Sequence, residues 1–179
     1  MSAAVTVIGA GLAGCEAAWQ VAENGFSVEL IEMKPLKYTP AHQSPDFAEL
    51  ICSNSLKAAR VESAAGLLKE EMRRLGSLLM SCADTCRVPA GGALAVDRHL
   101  FSAEVTKRIR EHENITVRTE EVTSLPKDGL VIVATGPLTE GPLADEIFAL
   151  CGGKLSFFDA AAPIVTAERL NYDRCFAAS

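Results

Sequence analysis

The sequence predicts an α/β fold whose alternating strands and helices build a doubly wound sheet. The first observation is an apolar run at residues 5–8 that leads into a glycine-rich turn and then into a helix-like segment. The second is that apolar runs at residues 26–32 and 129–137 are separated by stretches with helical spacing. The third is the composition, 49% hydrophobic and 22% charged over 179 residues, which suits a globular domain with a substantial core.

The charge and the cysteine content limit the classes of function. The net charge is −6 and no stretch is strongly basic, which argues against this chain alone gripping a long nucleic acid backbone. We expect no signal peptide, no membrane span and a cytoplasmic location. Six cysteines in a domain of this size do not indicate a disulfide framework. Cys82 and Cys86 are predicted to be apolar core positions, and no metal site is expected because a second ligand pair is missing.

The first elements are predicted to form a β-α-β unit. A strand at residues 5–8 is followed by a helix that Gly25 ends, and residues 26–32 form the next strand. Residues 35–49 contain three prolines and are predicted to be a loop. Residues 63–86 then read as one long helix with Ser63 as its N-cap, because apolar residues recur at helical spacing. The charged stretch KEEMRR within it is predicted to be a solvated face.

The second half continues the alternation. A flexible or closely approached turn is expected at Gly91 and Gly92, followed by a helix over residues 98–111 with Asp97 or Ser102 near its start. Residues 114–125 are predicted to form a strand followed by a turn or a second short strand. A buried strand within residues 129–137 runs into a tight turn. A helix over residues 142–150 and a strand over residues 155–158 are expected next.

The glycine loop predicts a dinucleotide site. Gly9, Gly11 and Gly14 have the spacing GxGxxG, with a strand before them, a helix after them and Glu32 at the end of the next strand. Gly9 allows the tight turn, Gly11 lets a pyrophosphate approach the backbone, and Gly14 lets the helix pack close to the strand. The positive helix end favours phosphates. Glu32 can accept hydrogen bonds from ribose hydroxyls. We include the intervening Ala10, Leu12 and Ala13, and Met33 after Glu32, among the cofactor-binding residues.

A second motif favours FAD over NAD. The strand ending in Ala134, Thr135 and Gly136 is similar to the second motif of flavoproteins with two dinucleotide-binding domains. Those proteins also place the first glycine loop at the N-terminus. The resemblance implies that backbone near Val122, in a strand pair before the second motif, contacts the adenine. The fold expectation is therefore a Rossmann-like FAD/NAD(P)-binding domain.

Longer strings of sequence resemble one family. The strings VIGAGLAGCEAAWQ, FAELICSNSLK, GLLKEEMRRLGSLL, VPAGGALAVDR, VIVATGPLT and FFDAAAPIV closely resemble the folate- and FAD-dependent tRNA (uracil-5-)-methyltransferases, the TrmFO family. The resemblance runs from about residue 4 to the end of the chain. Family members are bacterial cytosolic proteins of more than twice this length. The expectation is that residues 1–179 are the N-terminal portion of the FAD domain, truncated before its C-terminal part and lacking an inserted domain that helps hold the tRNA.

The resemblance implies a specific reaction. A one-carbon unit passes from methylenetetrahydrofolate to a reduced flavin and then to C5 of the T-loop uridine in tRNA, with electrons from NAD(P)H. Adding a thiolate to C6 of the uracil makes C5 nucleophilic. Cys52 matches the family block that contains a catalytic cysteine. Its neighbours Ser53, Asn54 and Ser55 are predicted to begin a helical turn that would lower the pKa of the thiol.

Several alternatives remain open at this point. Cys52 is either the attacking thiol or a buried hydrophobe, and a later cysteine in the family could share its task. His42 is either a flavin neighbour or general base, or a solvated loop residue. The Asp97–Arg98 pair could meet flavin, folate or phosphate. The chain could instead belong to a GidA/MnmG-like tRNA-modifying flavoprotein or another two-domain flavin oxidoreductase, or be an inactive nucleotide-binding module.

Overall fold

The fold is built on two sheets of different kinds. The computed structural model describes residues 4–153 together with residues 171 and 174. The strands are β1 (Val5–Ile8), β2 (Val28–Glu32), β3 (Ser55–Ala58), β4 (Arg87–Val88), β5 (Ala93–Val96), β6 (Ile115–Thr119) and β7 (Leu130–Val133). The helices are α1 (Leu12–Glu23), α2 (Ala64–Arg74), α3 (Leu78–Thr85), α4 (Arg98–Glu111) and α5 (Gly141–Leu150).

The main sheet is parallel and has the order β6-β2-β1-β7. Strands β2 and β6 lie on one side of β1, and β7 lies on the other side. This change of direction is the topological switch point of a doubly wound sheet, where ligands bind beyond the carboxyl ends of the strands. The predicted fold class is confirmed. The strand predicted over residues 155–158 lies outside the described residues.

Small residues let α1 pack closely on this sheet. Gly14, Cys15, Ala18 and Ala22 form the buried face of the helix. Asn24 is the C-cap residue and Gly25 has φ +83°, a left-handed conformation that glycine adopts without steric cost, so the helix ends where the sequence predicts. The hydrophobic core continues from this face to buried residues of α3, β5 and α4.

The predicted long helix over residues 63–86 is wrong, because α2 and α3 are separate helices. Gly76 has φ +73°, which breaks the helical path, and the hydroxyl of Ser77 then accepts a hydrogen bond from the backbone N–H of Met80. The start of α2 is as predicted, since the Ser63 hydroxyl accepts from the N–H of Gly66. Leu75, one of the apolar residues at the helical spacing on which that prediction rested, is 75% exposed.

The charged stretch of α2 is also more than a solvated face. Lys69 is 7% exposed, and its ammonium donates hydrogen bonds to the carbonyls of Ala58 and Ala65 at 3.1 and 3.0 Å. Burial lowers the pKa of Lys69. The other charges do face solvent, where Glu70 pairs with Arg74 at 3.0 Å. Lys69 therefore ties α2 to the end of β3.

The smaller sheet is antiparallel, with the order β3-β5-β4. Its turn contains Gly91 at φ +58°, and the N–H of Ala59 donates to the carbonyl of Gly92. The register of β3 against β5 shifts between Ser55 and Ala58, and Lys57 adopts φ +66° at this irregularity. This sheet carries the segment that follows Cys52.

Helices α4 and α5 form where the sequence predicts them. Asp97 is the N-cap of α4, and one of its carboxylate oxygens accepts from the N–H groups of His99 and Leu100, both at 3.0 Å. Among the described residues, no helix combines the length and the apolar character needed to cross a bilayer.

Candidate functional site

The glycine loop lies between the end of β1 and the start of α1. Gly9 has φ +98°, and a Cβ there would lie 2.6 Å from the carbonyl oxygen of Ala134. A Cβ on Gly14 would lie 1.7 Å from the carbonyl oxygen of Gly9. Both distances are far below a van der Waals contact. Only glycine therefore fits at these two positions, for the turn and for the close packing of helix and strand that the motif predicts.

Gly11 differs from the other two glycines because space remains around it. A Cβ at Gly11 would meet no atom within 4 Å. Gly11 is the N-cap residue of α1 and has no side chain to cap the helix. The first N–H groups of a helix have no intrahelical acceptor, and the helix dipole makes this end positive. Open space beside uncapped N–H groups fits the pyrophosphate of a dinucleotide.

Glu32 fixes the shape of the loop. One carboxylate oxygen accepts from the N–H of Ala10 at 2.7 Å, and the other accepts from the N–H of Lys34 at 3.0 Å. The side chain is 7% exposed. A carboxylate has about four acceptor positions, so two contacts leave capacity for ribose hydroxyls. Glu32 thus organises the loop, a role the motif alone does not reveal, and it still lines the cleft.

The second motif lies beside the first at the same edge of the sheet. The N–H of Ala134 donates to the carbonyl of Ile8 at 2.8 Å, so β7 meets the glycine loop directly. Gly136 follows with φ +80°, which produces the predicted tight turn. The Thr139 hydroxyl lies 2.7 Å from both the Thr135 hydroxyl and the carbonyl of Gly136. The two motifs therefore lie next to each other along the carboxyl edge of the parallel sheet.

A cleft of about 300 Å³ opens at this edge. All but one of the predicted cofactor-binding residues line it, namely Gly9, Ala10, Gly11, Leu12, Ala13, Glu32, Met33, Val122, Ala134, Thr135 and Gly136. Gly14 is not on its wall, consistent with its packing role. Val122 lines the cleft, but its predicted place in a strand pair is wrong. Strand β6 ends at Thr119, and among residues 4–153 no strand pairs with the segment that follows.

Sequence reasoning missed several charged residues that line the cleft, and Lys34 and Glu49 are two of them. Lys34 is 6% exposed, and its ammonium donates to the carbonyls of Ser44 and Asp46. It also lies 3.7 Å from a carboxylate oxygen of Glu49. The same carboxylate accepts from the N–H groups of Gln43 and Ser44. Buried cations need such partners, so this pair holds the proline-rich loop against the cleft. The sequence feature that could have indicated this role is the position of Lys34, two residues after Glu32.

Lys37 bridges three segments at the cleft. Its ammonium lies 2.7 Å from Glu121 and 3.9 Å from Glu140. The hydrogen bond and charge of Glu121 raise the pKa of Lys37. Because the lysine is 43% exposed, solvent screens this attraction and its contribution to stability is small. The bridge connects the proline-rich loop to the chain after β6 and to the start of α5.

Cys52 is exposed and lies next to Ile51, which lines the cleft. The predicted helical turn after Cys52 is wrong. Ser55 begins the strand β3, and the hydroxyl of Ser53 accepts the N–H of Ser55 at 3.0 Å in a local turn. The predicted stabilisation of the thiolate by a helix dipole is therefore wrong, because no helix begins there. Cys52 itself is not among the cleft-lining residues.

The buried cysteines take the packing role that the sequence predicts. Cys15 is fully buried, its thiol donates to the carbonyl of Ala10, and burial raises its pKa. Burial also raises the pKa of Cys82 to about 11. Cys86 is buried as the C-cap residue of α3. Across residues 4–153, no three His, Cys, Asp or Glu side chains are grouped as a metal site would require.

The fold and the cleft define a class of protein. A parallel sheet with a switch point, a GxGxxG loop at its carboxyl edge and an acidic residue ending the second strand make up a Rossmann-type dinucleotide-binding domain. The chain belongs to the glucose inhibited division protein A (GidA) family, whose family model matches residues 4–179.

Within that family, the chain is similar over nearly its whole length to curated proteins that share one name. The chain is 61% identical to Methylenetetrahydrofolate–tRNA-(uracil-5-)-methyltransferase TrmFO of Desulforudis audaxviator, over 100% of this chain and 41% of the relative. It is 59% identical to the protein of the same name from Acetivibrio thermocellus, over 98% of this chain and 40% of the relative. The Geobacter sulfurreducens protein of that name is 57% identical, with 100% and 41% covered. The chain thus spans about two fifths of the length of these relatives.

Solved structures agree on the fold. GidA of Aquifex aeolicus matches with a TM-score of 0.55 and 19% identity, over 68% of this chain and 20% of that chain. NikD, an amino acid oxidase of nikkomycin biosynthesis, matches with a TM-score of 0.50 and 18% identity, over 80% and 53%. At these identities the likeness is one of architecture alone.

Proposed function

We propose that this chain is part of an enzyme that methylates uracil C5 in the T-loop of tRNA, with methylenetetrahydrofolate as one-carbon donor. The observation that carries the proposal is identity of 57–61% over almost the whole chain to proteins named for this reaction. Because the chain spans about 41% of those relatives, the activity is proposed for the longer protein. The remaining part would complete the FAD domain and supply the domain that helps hold the tRNA.

The cofactor proposed for the cleft is FAD, the dinucleotide that the second glycine motif favours. Open space at Gly11, the uncapped start of α1 and the acceptor capacity of Glu32 fit the pyrophosphate and ribose of a dinucleotide. When bound, FAD would accept electrons from NADH or NADPH and carry the one-carbon unit. The residues of this chain bind and orient it, and Lys34 with Glu49 holds the loop on one side of the cleft.

Cys52 is the proposed nucleophile toward the uracil. Its thiolate adds to C6, which forms a C–S bond and moves the C5–C6 π electrons toward the C4 carbonyl. C5 then attacks the one-carbon unit and loses its proton to a base, and the electrons of that C–H bond expel the carrier, which leaves an exocyclic methylene on C5. A hydride that originates from NAD(P)H adds to this methylene to give the methyl group, and the electrons that return to the C5–C6 bond expel the Cys52 thiolate. Exposure of Cys52 beside cleft-lining Ile51 supports this role, since the uridine must reach it from solvent.

Two other functions have less support from the comparisons and the structure. A GidA-like tRNA modification agrees with the family model, but identity to the Aquifex aeolicus GidA structure is 19%, against about 60% to proteins named TrmFO. A nucleotide-binding module without activity would not need an exposed cysteine beside the cleft. The net charge of −6 supports a tRNA-binding surface that lies mainly outside this chain. A cytoplasmic location follows from the proposed substrate.

The test uses the full-length protein and tRNA carrying tritium at uracil C5. Tritium release that requires both methylenetetrahydrofolate and FAD is the expected result, because methylation displaces the C5 hydrogen. Absence of release with an FAD-loaded enzyme would refute the proposed reaction.

The role of Cys52 is tested separately by the Cys52→Ala variant, with Cys151→Ala as the matched control. Both cysteines are exposed, so neither substitution removes core packing. Cys52→Ala should abolish tritium release while the control keeps it. A Cys52→Ala enzyme with normal turnover would remove this residue from the chemistry.

A further inference from the structure

His42 is a cleft-lining residue that neither glycine motif includes. It lines the cleft together with Glu32 and the glycine loop. The adjoining chain packs against that loop, because the N–H of Ala48 donates to the carbonyl of Ala10 at 2.9 Å. His42 therefore lies on a segment that packs against the glycine loop at the edge of the sheet.

The loop that carries His42 is fixed on the C-terminal side of the histidine. The N–H groups of Gln43 and Ser44 both donate to Glu49, and the carbonyl of Ser44 accepts from Lys34. These contacts immediately follow His42 in the chain. An imidazole held this way can contact a ligand without the entropy cost of ordering a mobile loop on binding.

The two ring nitrogens of His42 have different surroundings. Nδ1 lies 2.6 Å from the hydroxyl of Thr39, and that hydroxyl also accepts the N–H of Ala41 at 3.4 Å. The hydroxyl can donate its hydrogen to Nδ1 while it accepts the N–H of Ala41, and this arrangement puts the ring proton on Nε2. Within residues 4–153 no side chain or backbone group forms a hydrogen bond with Nε2. Every fully buried side-chain nitrogen or oxygen in that range has a hydrogen-bond partner. Nε2 has none, so it is not fully buried and is accessible from the cleft.

The charge of the imidazole is set by its surroundings. Burial and the nearby ammonium of Lys34 lower the pKa of His42, while Glu49 and Glu32 oppose that shift. The ring is therefore neutral at pH 7, and with Thr39 donating to Nδ1 it offers one N–H donor at Nε2. A neutral donor suits an oxygen of a bound dinucleotide.

We propose that His42 is a ligand-contacting residue that donates a hydrogen bond from Nε2 to an oxygen of the bound dinucleotide. In this arrangement the Thr39 hydroxyl donates to Nδ1, and the Lys34–Glu49 pair fixes the loop. This inference rests on the FAD part of the proposed function. The acceptor oxygen belongs either to the pyrophosphate or to the sugar chain of the flavin half.

The experiment measures the affinity of the full-length protein for FAD by flavin fluorescence anisotropy, and for ADP and adenosine by calorimetry. His42→Ala should weaken FAD binding about tenfold, the loss expected for one hydrogen bond. His42→Gln places an amide nitrogen near the position of Nε2 and should recover most of the affinity. His42→Asn places it near Nδ1 and should not. His99→Ala is the control, because His99 is exposed on α4, away from the cleft.

Each outcome decides between the possibilities. A loss shared by FAD and ADP but not adenosine places the acceptor on the pyrophosphate, and a loss for FAD alone places it on the flavin half. Equal FAD affinity of the unmodified chain and the His42→Ala variant overturns the role of His42 alone. Equal weakening by Gln and Asn, or an equal loss for adenosine, points to loop damage and also overturns it. No FAD binding by the unmodified full-length protein overturns both this inference and the FAD assignment, whereas loss of FAD binding only in an otherwise folded variant bears on His42 alone.

Discussion

Substitution of Gly14 by alanine should destabilise the fold without touching the ligand surface. The added Cβ would lie 1.7 Å from the carbonyl oxygen of Gly9, so α1 must move by more than an ångström or the turn must distort. Overpacking typically costs about 1–3 kcal/mol and at times more. Alanine also has a helix propensity better than that of glycine by about 1 kcal/mol. The clash outweighs this gain, and we expect a net loss of about 2 kcal/mol in the free energy of unfolding.

Gly11→Ala is the matched control for this change. Its Cβ would meet no protein atom within 4 Å, so the unfolding free energy should change by less than about 1 kcal/mol. FAD affinity should nevertheless fall at least about tenfold, because the methyl group occupies the space where the pyrophosphate meets the backbone. Urea denaturation followed by circular dichroism measures the first quantity, and FAD titration the second. Equal stability of Gly14→Ala and the unmodified chain would refute the close-packing explanation.

Three further predictions concern charge and thiols. Iodoacetamide should label Cys52 and Cys151 at pH 8 but not Cys82, whose pKa of about 11 leaves it protonated; mass spectrometry of the folded chain checks this. Glu32→Gln should lower the unfolding free energy by about 1.5–3 kcal/mol, because one of two hydrogen bonds to a charged acceptor is lost. Since the pKa of His42 is lowered on folding, stability should fall as pH drops through about 6.5, and His42→Gln should flatten that part of the urea-derived stability profile.

Features that depend on neighbouring residues in sequence were predictable. The glycine loop, its flanking strand and helix, and Glu32 are all within about thirty residues, and each has a local physical reason. The caps at Ser63 and Asp97 follow the same logic, because a short polar side chain before a helix satisfies free N–H groups.

Other features depend on contacts between distant parts of the chain. Ser55 enters a strand because β3 pairs with β5, about forty residues later, and no helix-start signal reveals that partner. Lys69 is buried because the carbonyl of Ala58, eleven residues earlier, accepts from it. The break at Gly76 and Ser77 was visible in the sequence, but the apolar spacing across it outweighed a glycine–serine pair that ends one helix and caps the next.

The central proposal is the transfer of the folate-borne carbon to uracil C5. The most direct measurement supplies methylenetetrahydrofolate with a ¹³C methylene group to the full-length protein, together with FAD, NAD(P)H and undermodified tRNA. Nucleoside mass spectrometry should then find the heavy carbon in 5-methyluridine from the T-loop. A T-loop uridine that stays unmethylated, or a methyl group without the heavy carbon, would contradict the proposed function.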